Sequence, residues 1–241
     1  MCGRFTQQRP TAELADVFDA ESLVEAAEPR FNVAPTDGIV AVVQPPDDRR
    51  LLTTLRWGLI PAWADSPKVG ASMINARAET IFTSSAYRAS VRKRRCLIPA
   101  DGFYEWRRQP DLPNGDPQRG GKVAKQPFFI HRRDGAPLAM AGIWSPWKEP
   151  LSEQWLRSCA IVTTAADAFM APIHDRMPVI LPPEAWQRWL DPTVDDVAEL
   201  RGVLEPSSVL LEAYPVSTLV NSVRNDSPEL VARIDGEVLR A

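Results

Sequence analysis

The chain has 241 residues, of which 44% are hydrophobic and 24% are charged, and its formal net charge is −3. This composition is typical of a globular protein with a core of its own. No apolar run approaches the ~20 residues that a membrane-spanning helix needs, and no secretion signal is recognisable at the N-terminus. We therefore expect an intracellular, cytoplasmic protein with no membrane contact.

The three cysteines, Cys2, Cys96 and Cys159, form an odd set without CxxC spacing. This pattern favours neither a disulfide framework nor a zinc site. Cys96 and Cys159 lie in apolar runs and are predicted to be buried packing residues. We expect neither a metal nor a cofactor.

Charge is distributed unevenly along the chain. Residues 49–108 carry twelve basic and four acidic side chains, a net of +8, whereas residues 183–241 carry five basic and eleven acidic ones, a net of −6. The basic region could face phosphates while the acidic region keeps the protein soluble. The run Arg92 to Arg95 alone is equally well explained as the solvated face of a helix.

Apolar spacing and turn residues predict the elements in chain order. A short helix is expected at residues 11–18, and two strands at 39–43 and 51–56 flank a Pro-Pro-Asp-Asp turn and form a hairpin. Further strands are predicted at residues 128–132, 138–144 and 160–164, and further helices at 85–94, 183–190 and 195–204. An exposed loop is expected at 109–126. Without regular βαβ alternation, this order indicates an α+β fold, a single domain built on mainly antiparallel sheet.

Cys2 directly follows Met1. Removal of one methionine would make Cys2 an N-terminal residue that carries both a thiol and a free α-amine. Such a 1,2-aminothiol condenses with an aldehyde to an imine, and the sulfur then closes a durable thiazolidine ring. With reference pKa values of ~7.7–8.0 for the amine and ~8.5 for the thiol, both groups are expected to be partly available as nucleophiles near neutral pH.

Three other polar residues lie in segments of strand-like or turn-forming sequence: Asn75, Glu105 and His174. Glu105 lies between two aromatic residues, where desolvation would raise its pKa toward the range useful for proton transfer. By itself it could equally be an exposed strand glutamate. His174 is one of two histidines, and a lone histidine is more often structural than catalytic.

These segments resemble, in order and in wording, the motifs of the SOS response-associated peptidase (SRAP) family, abasic-site processing proteins that crosslink themselves to damaged single-stranded DNA. The motifs that carry the resemblance are MCGRF at 1–5, FNVAP at 31–35, WGLIP at 57–61, NARAET at 75–80, RCLIPA at 95–100, GFYEW at 102–106, IHDRMP at 173–178 and VNSVRN at 220–225. The resemblance implies one barrel-like domain over residues 2–225 with peripheral helices, followed by a C-terminal tail at 226–241.

The resemblance also implies roles for the polar residues. Cys2 would attack C1′ of the ring-opened abasic sugar, Glu105 would act as general base and acid, His174 would assist sugar opening, and Asn75 would hold the α-amine or the sugar oxygen. In DNA binding, Arg4, Arg77 and Arg176 would contact backbone phosphates, and Trp63 would stack on a base. Family members often carry a second tryptophan where this chain has Ala64. The expected partner is abasic single-stranded DNA, bound by a monomer.

Two other classes of function remain open from the residues alone. An initiator methionine followed by Cys-Gly also begins glutamine amidotransferase-like N-terminal nucleophile hydrolases. The basic segment by itself would suit a non-enzymatic single-stranded DNA-binding protein. The family name further implies a peptidase step, the autoproteolytic removal of Met1.

Overall fold

The computed structural model describes residues 2–46, 49–108, 125–205 and 209–241. Its strands are β1 (Phe5–Gln7), β2 (Ala20–Ser22), β3 (Arg30–Val33), β4 (Gly38–Val43), β5 (Arg50–Trp57), β6 (Asn75–Arg77), β7 (Arg95–Ala100), β8 (Gly102–Arg108), β9 (Lys125–Arg132), β10 (Leu138–Lys148), β11 (Trp155–Ala165), β12 (Arg176–Pro178), β13 (Leu211–Pro215) and β14 (Leu239–Arg240). Its helices are α1 (Thr11–Phe18), α2 (Arg88–Lys93), α3 (Pro183–Leu190) and α4 (Val197–Val203), with 3-10 helices at Pro67–Ser72, Thr218–Asn221 and Pro228–Val231.

Most of the predicted elements are confirmed. Helices α1 and α3 have the predicted bounds, and β4 and β5 form the predicted antiparallel hairpin. Helix α4 is shorter than predicted because Asp196 acts as its N-cap and accepts a hydrogen bond from the Glu199 amide at 2.8 Å. The loop prediction at 109–126 is wrong for its last two residues, which begin β9. Residues 109–124 of this predicted loop lie outside the described residues. Residues 47–48 of the predicted hairpin turn also lie outside them.

Two sheets make up the fold. One has six strands in the order β14-β13-β9-β8-β1-β3. In the other, β11, β10, β7, β4 and β5 pair in sequence, and β5 pairs again with β11, so these five strands close into a barrel. Most pairings are antiparallel, which confirms the α+β prediction; the exceptions β2–β5, β5–β11 and β6–β11 are parallel.

The barrel strands alternate apolar side chains between two cores. One face of these strands packs against the six-stranded sheet, where Cys2, Phe5 and Phe103 join barrel residues such as Trp57 and Ile161. The opposite face is covered by helices, with Phe18 from α1 and Trp189 from α3 fully buried there. Because the two sheets share one core, the described residues form one domain.

The C-terminal residues pack on this domain. Strand β14 pairs with β13 at one edge of the six-stranded sheet, and Leu230 is fully buried against Tyr104 and Phe129 on the sheet's outer face. The boundary predicted at residue 225 stays a prediction. Within the described residues, no helix has the length and apolar character needed to cross a membrane.

Candidate active site

Cys2 lies at the entrance to β1, which runs between β3 and β8 in the six-stranded sheet. Phe5 pairs with Phe103, and the Tyr104 amide donates to the Arg4 carbonyl at 2.9 Å. Continuing this antiparallel register brings the residues before Arg4 alongside Glu105. The Cys2 side chain is fully buried, so β1 carries a sulfur nucleophile into the core beside a carboxyl group.

Burial changes the chemistry expected of the Cys2 thiol. Loss of solvation raises its pKa far above the ordinary value, and the nearby Glu105 carboxylate adds to the rise. The expectation that the thiol is partly ionised near neutral pH is therefore wrong for this environment. Cys2 is held as a neutral thiol, and its reaction requires a base to accept the proton.

Glu105 is suited to accept that proton. Its side chain is 2% exposed, and burial raises its pKa above the ordinary carboxyl range while the neighbouring His174 opposes the rise. A carboxyl group with a raised pKa can exchange protons near neutral pH. The interpretation of Glu105 as an exposed strand residue is thereby excluded.

Asn75 reaches the same place from the barrel. It begins β6, whose parallel pairing with β11 sets Asn75 against Ile161. Its Nδ2 donates to the Cys2 carbonyl at 2.8 Å. Its Oδ1 is buried and has no hydrogen-bond partner among the described residues, so it remains available as an acceptor. The Tyr87 hydroxyl fixes the Asn75 backbone by donating to its carbonyl at 3.2 Å.

His174 lies in the turn before β12, close enough to Glu105 to affect its pKa. The Arg176 amide lies 3.0 Å from His174 Nδ1 and the Asp175 carboxylate lies 2.9 Å from the same atom. These contacts require opposite protonation of Nδ1. The backbone amide can only donate, so its contact uses Nδ1 as an acceptor, whereas the Asp175 contact and the effect on Glu105 belong to the protonated ring.

The residues predicted to bind DNA divide into two groups. Arg77 is exposed, and Trp63 is 64% exposed in the segment before the Pro67–Ser72 helix. That segment lies beside the Asn75 strand, since the Leu59 amide donates to the Met73 carbonyl at 3.0 Å. Ala64 is buried against Trp147, whose indole Nε1 donates to the Ala64 carbonyl at 2.7 Å. The aromatic group presented to solvent from this turn is therefore Trp63.

Arg4 and Arg176 have internal partners. Arg4 Nη1 donates to Asn32 Oδ1 and to the Val220 carbonyl, each at 2.9 Å. Arg176 forms a two-point ion pair with Glu79 and donates to the Thr163 carbonyl at 2.7 Å. Their roles at phosphates stay predictions.

The basic segment is less basic at its surface than its sequence indicates. Arg95 is 2% exposed, and its guanidinium donates to backbone carbonyls at the ends of α2 and α3, including those of Val91 and Trp189. Helix C-termini present carbonyls that lack intrahelical donors, and a cation satisfies them well. The interpretation of Arg92 to Arg95 as one solvated face is therefore wrong for Arg95.

Three residues that support the site were not singled out from the sequence: Asn32, Glu79 and Tyr87. Asn32 is 1% exposed, and besides its bond to Arg4 its Nδ2 donates to the carbonyls of Ser222 at 2.9 Å and Asn225 at 2.7 Å. It thus ties β3 and the N-terminal strand to the segment 220–225. Asn32 lies in the FNVAP motif at 31–35 and Glu79 in the NARAET motif at 75–80, and membership of these motifs was the sequence signal that could have identified them.

Comparison with known proteins gives the same family throughout. The sequence model of the family described as SOS response associated peptidase (SRAP) matches residues 1–223. The chain belongs to the SRAP family. Among its curated SRAP relatives, the abasic site processing protein YoqW of Bacillus subtilis is 40% identical over 96% of this chain and 99% of that protein.

Two further matches have lower sequence identities. The abasic site processing protein YedK of Escherichia coli is 33% identical over 96% of this chain and 99% of its own length. A crystal structure of a Bacteroides thetaiotaomicron protein superposes with a TM-score of 0.81 at 25% identity, covering 97% of this chain and all of that one. The SRAP fold of the chain is therefore shown by both sequence and structure.

Proposed function

We propose that this protein recognises abasic sites in single-stranded DNA and forms a covalent thiazolidine crosslink through Cys2 after Met1 is removed. One observation carries the proposal: a fully buried Cys2, held through its carbonyl by Asn75, lies next to a buried carboxyl group, Glu105. The setting is a family whose curated relatives are named for abasic site processing.

The reaction begins with hydrolysis of the Met1–Cys2 peptide bond, which consumes one water and frees the Cys2 α-amine. The amine attacks C1′ of the ring-opened sugar, an aldehyde, and the carbinolamine loses water to give an imine. The Cys2 sulfur then adds to the imine carbon while its proton passes to the nitrogen. The thiazolidine therefore has the mass of the processed protein plus the DNA, less one water.

Glu105 is the group best placed to move these protons. It accepts a proton from the attacking amine and returns it to the departing carbinolamine oxygen, and its raised pKa suits both directions. His174 donates a proton to the sugar ring oxygen during opening. The buried Oδ1 of Asn75 accepts a hydrogen bond from the α-amine.

Fixed positioning of the reacting groups contributes much of the crosslinking rate. The thiol and the amine belong to one residue, which is fully buried and held through its carbonyl by Asn75. Holding reacting groups in a productive geometry is worth up to ~7–11 kcal/mol relative to a bimolecular condensation in water. The exposed Arg77 and Trp63 bind the flanking strand through a phosphate and a base.

We infer that Met1 removal uses the same groups. In the unprocessed chain the Cys2 thiol attacks the Met1 carbonyl while Glu105 takes the thiol proton. The C–N bond between Met1 and Cys2 then breaks as Glu105 returns this proton to the departing amine, and water hydrolyses the resulting thioester to free methionine and the aminothiol. This (auto)peptidase step accounts for the family name. It predicts that Glu105→Gln retains Met1 when the protein is produced in a host lacking methionine aminopeptidase activity.

Intact mass spectrometry tests the function directly. The purified protein is mixed with a single-stranded oligonucleotide that carries one abasic site, with an undamaged oligonucleotide as control. A heat-stable shift by the oligonucleotide mass less one water, lost in Cys2→Ala, is expected. Cys2→Ala should still bind DNA, since the variant removes only the sulfur. A heat-stable adduct in Cys2→Ala, or a processed wild type that forms no adduct, would refute the proposal.

A further inference from the structure

The ion pair between Arg176 and Glu79 has the geometry of a phosphate contact. Both guanidinium terminal nitrogens of Arg176 face both carboxylate oxygens of Glu79, with the Nη2–Oε2 bond at 3.0 Å. This two-point arrangement is the one that arginine also makes with phosphate.

The two partners differ in exposure. The Arg176 side chain is 15% exposed, and its Nη2 is anchored inward by the Thr163 carbonyl at 2.7 Å. The Glu79 side chain is 49% exposed, so the carboxylate covers the outer edge of a guanidinium fixed by the sheet. Removal of the carboxylate from this edge would leave a preformed anion seat facing solvent.

Arg77 places this pair at the predicted DNA surface. It is exposed, and it precedes Glu79 by two residues in the segment that leaves β6. Thr163 pairs with Arg77 on one side and with Pro178 of β12 on the other. The strands that carry Arg77 and Arg176, β6 and β12, therefore flank the same strand β11.

We propose that Glu79 occupies, in the DNA-free protein, the seat on Arg176 that a backbone phosphate of single-stranded DNA takes on binding. The inference rests on the proposed function. On DNA binding, a phosphate replaces the Glu79 carboxylate on Arg176. Because one ion pair is lost when the other forms, Arg176 contributes little to the net affinity for DNA. Glu79 restrains binding to undamaged DNA and leaves the covalent step at Cys2 to select abasic sites.

The exchange leaves the reaction centre in place. The Arg176 contact to His174 comes from the backbone amide, which does not move when the guanidinium changes partner. A variant at Glu79 is therefore expected to change DNA affinity without changing the rate of crosslinking at saturating DNA.

The test compares wild type, Glu79→Gln and Glu199→Gln by fluorescence anisotropy with an undamaged single-stranded oligonucleotide over a range of salt concentrations. Glu199 is a matched control, since its carboxylate also pairs with an arginine, Arg188, on the helical side of the fold. Glu79→Gln is expected to bind about 2–5-fold more tightly, the range for loss of one exposed ion pair. Its plot of log K against log salt should keep the wild-type slope, because a phosphate contacts Arg176 in both complexes.

Glu79→Gln/Arg176→Gln is the second variant, and it should lose the gain because the seat itself is removed. Unchanged affinity in Glu79→Gln would overturn the inference, as would an equal change in Glu199→Gln. A changed crosslinking rate at saturating abasic DNA would also overturn it, since Glu79 would then act through His174. If wild type crosslinks abasic DNA while Glu79→Gln behaves like wild type, this inference alone fails; if wild type neither binds nor crosslinks, the proposed function fails as well.

Discussion

Replacement of Asn32 by alanine tests how the N-terminal strand is secured. The Asn32 side chain is 1% exposed and makes three good hydrogen bonds, to Arg4 and to the carbonyls of Ser222 and Asn225. Asn32→Ala removes all three bonds from a buried position, whereas Ser222 is exposed and Arg4 and Asn225 are half-buried. The segment 220–225 should loosen together with the start of β1.

The expected loss follows from the number of bonds. Each buried hydrogen bond contributes about 1 kcal/mol net, and a partner left unsatisfied raises the loss. Because water can reach the partners of Asn32, the three bonds together give a decrease in unfolding free energy of about 3 kcal/mol. For a domain of this size, about 3 kcal/mol corresponds to a decrease in Tm of about 6–12 °C.

Urea unfolding measures the loss, and hydrogen exchange locates it. Asn32→Asp keeps the side-chain volume and the Arg4 contact but points a carboxylate at the Ser222 and Asn225 carbonyls, so it should be at least as destabilising as alanine. Asn221→Ala is the control, since it removes one exposed bond from Trp106 and should cost about 0.5 kcal/mol or less. A loss below about 1 kcal/mol in Asn32→Ala, or wild-type stability in Asn32→Asp, would refute the reasoning.

Three further predictions concern the site and its support. Burial raises the pKa of Glu105, so as the pH rises from the unfolded-state pKa of about 4.3 to the folded-state pKa, the unfolding free energy falls by about 1.4 kcal/mol per pH unit. Glu105→Gln should therefore unfold at a higher urea concentration than wild type at pH 8 and lose this advantage below about pH 4. The variant should also crosslink abasic DNA more slowly. An equal urea midpoint at pH 8 would contradict the raised pKa of Glu105. Gly58 has φ +122°, and a Cβ there would lie 2.5 Å from the Gly70 carbonyl oxygen. Gly58→Ala should therefore lower the free energy of unfolding in urea by more than about 2 kcal/mol. Gly202→Ala is the control: a Cβ there would meet open space, so the substitution should not destabilise the protein. Arg77→Ala should weaken binding to single-stranded DNA and make its salt dependence shallower by about 0.7; an unchanged slope in the anisotropy titration would remove Arg77 from the interface.

Local patterns predicted the elements well because the signals that define them are local. The capping and apolar spacing of α1, the proline-led start of α3 and the β4–β5 hairpin are all contained in a few consecutive residues. The site residues were predicted from motifs. Those motifs identified Asn75 and Cys2 as members of one site, and the contact between them at 2.8 Å fits that prediction.

Contacts between distant residues could not be predicted. Arg4 and Val220 are 216 residues apart in sequence, and nothing near either residue indicates that they meet. The same holds for the internal partners of Arg95 and Arg176, whose sequence neighbours made them look like surface cations. The raised pKa of the Cys2 thiol also depends on strands that lie far away in the chain, so its neighbours in sequence predicted an ordinary thiol.

The position of β1 between two later strands sets an order of events during synthesis. Phe103, which pairs with Phe5, is 98 residues further along the chain. At a ribosomal rate of about 5–20 residues per second, the nascent N-terminus waits about 5–20 s for that strand to be made. During this interval Cys2 cannot yet be enclosed by β8, and any processing enzyme at the ribosome has its opportunity to remove Met1. Once β8 emerges and the sheet closes, the Cys2 side chain becomes fully buried beside Glu105.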